Sequence, residues 1–249
     1  MVTLIKGDCL EKLKGIPDKS VDLIICDLPF GCLAQPQGSG CAWDVKIDLV
    51  EFWKEIKRIR KGDHTPTIHF TTTKYGFDLY NSNPKEFRYD LVWDKQRGVS
   101  FLTANKMPMR SHEMIYVFSK AGANYNRIDL IGENLVGKQK ASIYNHKAKT
   151  ILASSGLRIT KENDGSRKCV LSVINNKNEN QSKGHPTQKP IDLYKFLIER
   201  YSNEGDVVLD PTFGSGNSGL AAKELKRKYI GIEKDDKFFW KATAKFLQE

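Results

Sequence analysis

Val207-Val208-Leu209-Asp210-Pro211-Thr212-Phe213-Gly214-Ser215-Gly216-Asn217-Ser218-Gly219 decides how the chain is read. A short apolar, β-branched run reads as a buried strand. It breaks at Asp210-Pro211 into a glycine-rich loop, and Leu220, Ala221 and Leu225 then recur as on a helix. A second strand, Tyr229-Ile230-Gly231-Ile232, stops at Glu233. The result is a strand–loop–helix–strand unit with glycines where backbone must come close to a ligand. Glu233 stands where an acid can hydrogen-bond ribose hydroxyls. A dinucleotide site has the same outline. Asp210 argues for a different ligand, because a carboxylate at the mouth of the strand repels a pyrophosphate and attracts a cationic amino group.

Near the other end, Val21-Asp22-Leu23-Ile24-Ile25-Cys26 reads as another buried strand, followed by Asp27-Leu28-Pro29-Phe30-Gly31. Ligands of open α/β sheets bind at the carboxyl ends of strands, which places this loop beside the first. Its chemistry suits a planar amine, whose lone pair is delocalised and poorly nucleophilic. Two acceptors, the Asp27 side chain and the Leu28 carbonyl, can hold the N–H hydrogens and expose that lone pair. Pro29 stiffens the loop, and Phe30 offers a ring for stacking. Taken alone, the same four residues also fit a strand-ending turn with an apolar plug.

Together the two motifs resemble the amino-methyltransferases of DNA, in the group (beta type) whose catalytic motif precedes its cofactor motif. The family pattern is Asp/Asn/Ser-Pro-Pro-Tyr/Phe, a target-recognition region, then Asp-Pro-Phe-x-Gly-Ser-Gly. Leu28 replaces the first proline here, and Thr212-Phe213 replaces the usual Phe-x order. The resemblance spans nearly the whole chain. It implies S-adenosylmethionine as cofactor and methyl transfer to the N6 amine of an adenine flipped out of duplex DNA, with cytosine N4 as the alternative.

Residue by residue, it implies catalytic roles for Asp27, Leu28, Pro29 and Phe30. It implies cofactor contacts from Asp8 and Cys9 after the opening strand, from Asp27, and from Pro186, Thr187, Gln188 and Lys189 in His185-Pro186-Thr187-Gln188-Lys189-Pro190. Further cofactor contacts are implied for Asp210, Pro211, Phe213, Gly214, Ser215, Gly216, Asn217, Ser218 and Glu233. Pro190 is expected at the first position of a helix 191–201. Trp93-x-Lys95, with Ser111-His112-Glu113, matches the family's hairpin near the target base, and Trp93, Lys95 and Arg97 are candidate DNA contacts.

The formal charge of +10 points to a polyanionic partner. Its distribution is uneven: Gly137–Gly184 carries ten Lys or Arg against three Asp or Glu. Within a basic insertion at 120–184, Lys138, Lys140, Lys147, Lys149, Arg158, Arg167 and Lys168 are candidate DNA contacts. A solvated charged insertion has the same composition.

The expected architecture is one α/β domain over 1–249, with a doubly wound, mostly parallel, Rossmann-like sheet and an antiparallel edge hairpin. Leu49, Phe52, Trp53, Ile56 and Ile59 recur at helical spacing as core. The loop 31–44 is expected to order over DNA. Five scattered cysteines form no C-x-x-C pair and suggest no metal. No apolar run is long enough to span a bilayer, and Met1–Lys6 is too soon charged for a signal peptide. A cytoplasmic enzyme is expected, and the resemblance admits a homodimer. Rival readings are a nicotinamide oxidoreductase, which leaves Asp27–Phe30 unexplained, an inactive nucleic-acid-binding protein, and a methylase of RNA or protein amides.

Overall fold

The structure, a computed structural model, describes residues 1–31, 44–99, 101–133, 135–138, 140, 142–146, 156–160, 162–177 and 188–247. Strand β1 (Val2–Lys6) leads into helix α1 (Cys9–Leu13), β2 (Leu23–Cys26), α2 (Leu49–Ile59), β3 (Thr67–Thr71) and α3 (Thr73–Ser82). The hairpin strands β4 (Phe87–Val99) and β5 (Arg110–Phe118) follow, then the short strands β6 (Leu130–Ile131), β7 (Ser142–His146), β8 (Gly156–Thr160), β9 (Arg167–Lys168) and β10 (Val173–Asn175). The chain closes with α4 (Ile191–Tyr201), β11 (Val207–Asp210), α5 (Asn217–Glu224), β12 (Lys228–Glu233) and α6 (Asp236–Leu247).

Residues 1–126 and 172–249 form one compact unit and residues 127–171 another. In the larger unit, the described residues build an eight-stranded sheet in the order β1-β12-β11-β2-β3-β5-β4-β10. Only β5 runs against the rest; it is antiparallel to both β3 and β4. The expected hairpin is therefore present, but it is not the outermost element. β10 pairs in parallel with β4, Val173 opposite Val92, and lies outside it.

Burial of β2 on both faces explains its unbroken apolar run. Leu23 and Ile25 join a core under α4 and α5, with Leu193, Leu197 and Ala221. Ile24 and Cys26 join the opposite core, with Leu13 of α1, Phe52 and Ile56 of α2, and Tyr75 and Leu79 of α3. Helices thus cover both faces, and period-two alternation in the strand selects the layer. Leu49 of the expected helix stripe packs at the edge of this second core.

Local capping starts the helices where the sequence provides an acceptor. Asp8 accepts from Leu10 N at 3.0 Å, and Asp48 accepts from Val50 N at 2.8 Å. Pro190 differs from its expected place: it is the extended residue before α4 rather than the first helical one.

In the smaller unit, β6 pairs with β9 and β7 with β8, all antiparallel. β6 and β9, at two residues each, are too short to register in the sequence pattern. No described helix is long and apolar enough to cross a membrane.

Candidate active site

β1, β12, β11, β2 and β3 run parallel, so Asp8, Glu233, Asp210, Asp27 and Thr71 all emerge at one edge of the sheet. A cavity of about 790 Å³ opens there. Asp27 through Phe30 line one side, Pro211 through Ser215 another, and Asp8, Cys9, Gln188, Lys189 and Glu233 also contribute to its wall. The two motifs read from opposite ends of the chain thus face one space.

Asp27 is tied to the segment before α4. Lys189 Nζ donates to Asp27 Oδ2 at 2.6 Å and lies 3.4 Å from Glu113 Oε2. Glu113 is in turn paired with Lys95 of β4. Two carboxylates and two ammonium groups alternate along this chain and cancel in charge. Lys189 is buried and sits 5.3 Å from the centre of the Phe70 ring. Burial opposes its charge, but Asp27 and Glu113 outweigh that and hold Lys189 above the usual lysine value. Burial pushes the Asp27 carboxyl above the ordinary aspartate range, with Lys189 offsetting part of the rise. Burial also opposes ionisation of Glu113, yet Lys189 and Lys95 hold it below its ordinary value.

The two loops are also joined directly. Thr212 Oγ1 donates to the Asp27 carbonyl at 3.1 Å, so the departure from the family order places a hydroxyl against the Asp27 loop. Phe30 packs on Tyr75 with ring centres 5.2 Å apart. Gly31, at a φ of 68°, donates its amide to Asp44 Oδ1 at 2.9 Å. Asp44 thereby closes the base of the loop expected to order over DNA; residues 32–43 of that loop lie outside the described residues.

In the glycine loop, Glu233 does more than end a strand. It accepts from Gly214 N at 2.9 Å and from Asp235 N at 2.7 Å, while its side chain lines the cavity. Burial pushes its carboxyl upward, against the pull of these amides. Asp8 is shared between the α1 cap and Lys234, whose Nζ lies 3.1 Å from it. Cys9 is buried beside it, its thiol pushed up to about 12 by burial.

Asp210 requires a correction. Its carboxylate does not line the cavity; it accepts from Thr212 N at 3.0 Å and from Ser218 Oγ at 2.6 Å. Burial raises it to about 7 despite those donors. It acts as the internal brace of the loop, and of the motif acids it is Asp8, Asp27 and Glu233 that line the cavity. Gly216, Asn217 and Ser218 likewise sit behind the wall. Gly216 adopts a φ of 80° at the start of α5, Asn217 Nδ2 donates to the Lys189 carbonyl at 2.8 Å, and Ser218 also meets Tyr229 OH at 2.8 Å.

The expected DNA contacts separate into three groups. Trp93 is core, its indole N–H donating to the Asn176 carbonyl at 2.7 Å, and Lys95 is buried in its ion pair. Neither side chain is placed to touch DNA, because the alternation of β4 turns both inward. Arg97, Lys138, Lys140 and Arg167 are exposed and Lys168 is half-buried. For Arg158 the description extends only to its backbone on β8, and Lys147, Lys149, Pro186 and Thr187 lie outside the described residues. Sequence reasoning passed over Asp44 and gave Glu113 no role of its own. Glu113 shares the strand parity of Ile115 and Val117, a signal that its charge faces inward.

Eight carboxylates and four lysines line the cavity. The foremost loop amide, Gly214 N, is already spent on Glu233. A pyrophosphate would meet repulsion and lack that donor, whereas a cationic, ribose-bearing ligand meets complementary charge. Fold and cavity together define an α/β protein in which the glycine-rich loop and the Asp27 loop line different sides of one cavity.

Comparison with known proteins narrows this class. A DNA methylase family model, that of the N6/N4 methyltransferases, matches residues 21–244, and the chain belongs to this family. It is 31% identical to type II methyltransferase M.HinfI of Haemophilus influenzae, over 95% of this chain and 66% of that protein. It is 32% identical to DNA adenine methyltransferase YhdJ of Escherichia coli K12, over 93% of this chain and 78% of that protein. The chain thus spans just under two thirds of the length of M.HinfI. Among solved structures, the M1.HpyAVI–SAM complex matches with a TM-score of 0.60 at 20% identity, over 98% of this chain and 100% of that one. At that identity the likeness establishes the methyltransferase fold.

Proposed function

We propose that this chain transfers a methyl group from S-adenosylmethionine to the N6 amine of an adenine turned out of duplex DNA. One observation carries the reading: Asp27, on the amine-orienting loop, and Glu233, anchoring the glycine loop, face the same cavity. Membership of the DNA methylase family, the adenine methyltransferase named among the relatives and the S-adenosylmethionine complex among the structures support it. The order of the motifs, catalytic loop first, supports the beta-type group.

When bound, S-adenosylmethionine supplies an activated sulfonium methyl group. Glu233 and Asp8 would hold its ribose and base ends, and the loop Gly214–Ser215 would lie against it. Asp27 and the Leu28 carbonyl accept the two amine N–H groups and aim the nitrogen lone pair. With Lys189 on its other oxygen, Asp27 works as a hydrogen-bond acceptor, and the amine proton leaves to solvent. Phe30, backed by Tyr75, stacks on the base. Positioning and exclusion of water supply most of the rate. The exposed bases Arg97, Lys138, Lys140 and Arg167 would hold phosphates, and unit 127–171 would serve as the core of the target-recognition region. A cytoplasmic location and a homodimer belong to the same reading, the latter open to sedimentation.

The test is transfer from tritiated S-adenosylmethionine to unmethylated DNA, followed by mass spectrometry of the nucleosides. N6-methyladenine is expected. N4-methylcytosine would keep the site chemistry and change the base. Absence of both products from protein that binds the cofactor would overturn the proposal.

A further inference from the structure

The hairpin β4–β5 extends well past the sheet. Thr71, the last residue of β3, is level with Met114, yet β5 runs on to Arg110, which pairs with Val99 across a register shift that follows the Asp94–His112 pair. Four residues of strand carry it roughly 13 Å beyond the carboxyl edge. That edge holds Asp27, and Glu113 at the root of the hairpin lines the cavity. The hairpin therefore projects on the side where a substrate must approach.

Its tip is built unlike an ordinary turn. Phe101 and Leu102 sit in a short 3-10 turn, 80% and 97% exposed, and Met107 and Met109 are 58% and 43% exposed. Single exposed apolar residues need no explanation, but four in nine positions form a patch that marks an interaction. From Lys95 to His112 the sequence carries Arg97, Lys106 and Arg110 and no acidic residue. Arg97 and Lys106 are exposed. An apolar point flanked only by positive charge complements a stacked interior bounded by phosphates, which is the layout of duplex DNA.

We propose that the tip is a wedge: Phe101 and Leu102 enter the base stack beside the target and fill the gap left when the target base turns out, with Arg97 and Lys106 on the flanking phosphates. The proposal rests on DNA being the substrate. It assigns the extrusion of the base to the hairpin and the capture of the base to Phe30 and Asp27.

The test is the double variant Phe101→Ala/Leu102→Ala. Both side chains are exposed, so its thermal melting and cofactor binding should match the wild type. Methylation is compared on an intact duplex and on one with an abasic site opposite the target, where pairing no longer resists extrusion. The variant is expected to be roughly tenfold or more slower on the intact duplex and close to wild type on the abasic one. Equal rates for variant and wild type on both, or equal slowing on both, would overturn the wedge. A change from dimer to monomer with the ratio of the two rates unchanged would assign the tip to a second copy instead. A second readout needs no methyl transfer: wedge insertion unwinds DNA, so bound wild type should shift the linking number of a plasmid relaxed by topoisomerase and the variant should not. A wild type that shifts it without methylating would sink the methyl-transfer reading and leave the wedge standing. The same shift by both proteins would sink the wedge.

Discussion

Lys189 Nζ and Asp27 Oδ2 lie 2.6 Å apart although 162 residues separate them in the chain. The contact joins the loop after β2 to the segment entering α4. Through Glu113 it continues to Lys95 of the hairpin.

Removing the charge should therefore impair Asp27 without removing it. In Lys189→Gln, Asp27 and Glu113 lose their shared cation, and burial then drives Asp27 further upward. Methylation at neutral pH should fall about 10- to 100-fold, the scale of a lost charged hydrogen bond. The acid limb of the single-turnover pH profile should move to higher pH. Lys189→Arg should recover part of the rate. A profile that keeps its acid limb in Lys189→Gln would show that the lysine only packs.

Asp210 predicts a pH dependence of stability. Its folded value is raised to about 7 from an ordinary 3.8. A raised carboxyl favours folding below the unfolded value and loses that contribution as pH rises through the folded one. The melting temperature of Asp210→Asn, relative to wild type, should therefore climb between pH 4 and pH 8. A shift of this size corresponds to something on the order of 4 kcal/mol. A constant difference between the two melting curves would contradict the buried brace.

Glu233 holds two loop amides and faces the cavity, so Glu233→Gln should weaken cofactor binding about 10- to 100-fold. DNA affinity measured without cofactor should hardly change. Calorimetric titration with S-adenosylmethionine and a DNA shift assay separate the two.

Trp93 and Arg97 belong to one strand but should behave oppositely. Trp93→Ala should cost about 3–5 kcal/mol of stability, as for other buried aromatic truncations. Arg97→Ala should leave melting unchanged and lower the salt slope of DNA binding by about one phosphate contact. Denaturant unfolding and salt titration check each in turn.

The β11–α5–β12 unit, the Asp27 loop and most strands could be read in the sequence because their signals are local: apolar runs, a glycine-rich loop, a proline after an acid. What escaped depends on pairing. Asp210 has the same neighbours in sequence whether it faces the cavity or Ser218, and only the turn at Thr212 selects the second. Trp93 and Lys95 looked like target contacts because the basic, aromatic pair was read without its strand parity. That parity sets Trp93 opposite Glu113 and turns it inward. β10 was invisible because three residues, Val173–Asn175, become a strand only by adding to β4.

The order of strands carries a consequence for synthesis. β12 and β11 stand between β1 and β2, and Tyr229 N reaches back to the carbonyl of Met1. A chain emerging from the ribosome makes the two flanking strands first and must hold their facing edges open for some 180 residues until the intervening pair arrives. Such distant pairing closes slowly and leaves sticky edges waiting. Premature release before residue 207 therefore yields a chain that lacks both the centre of its sheet and one side of its cavity.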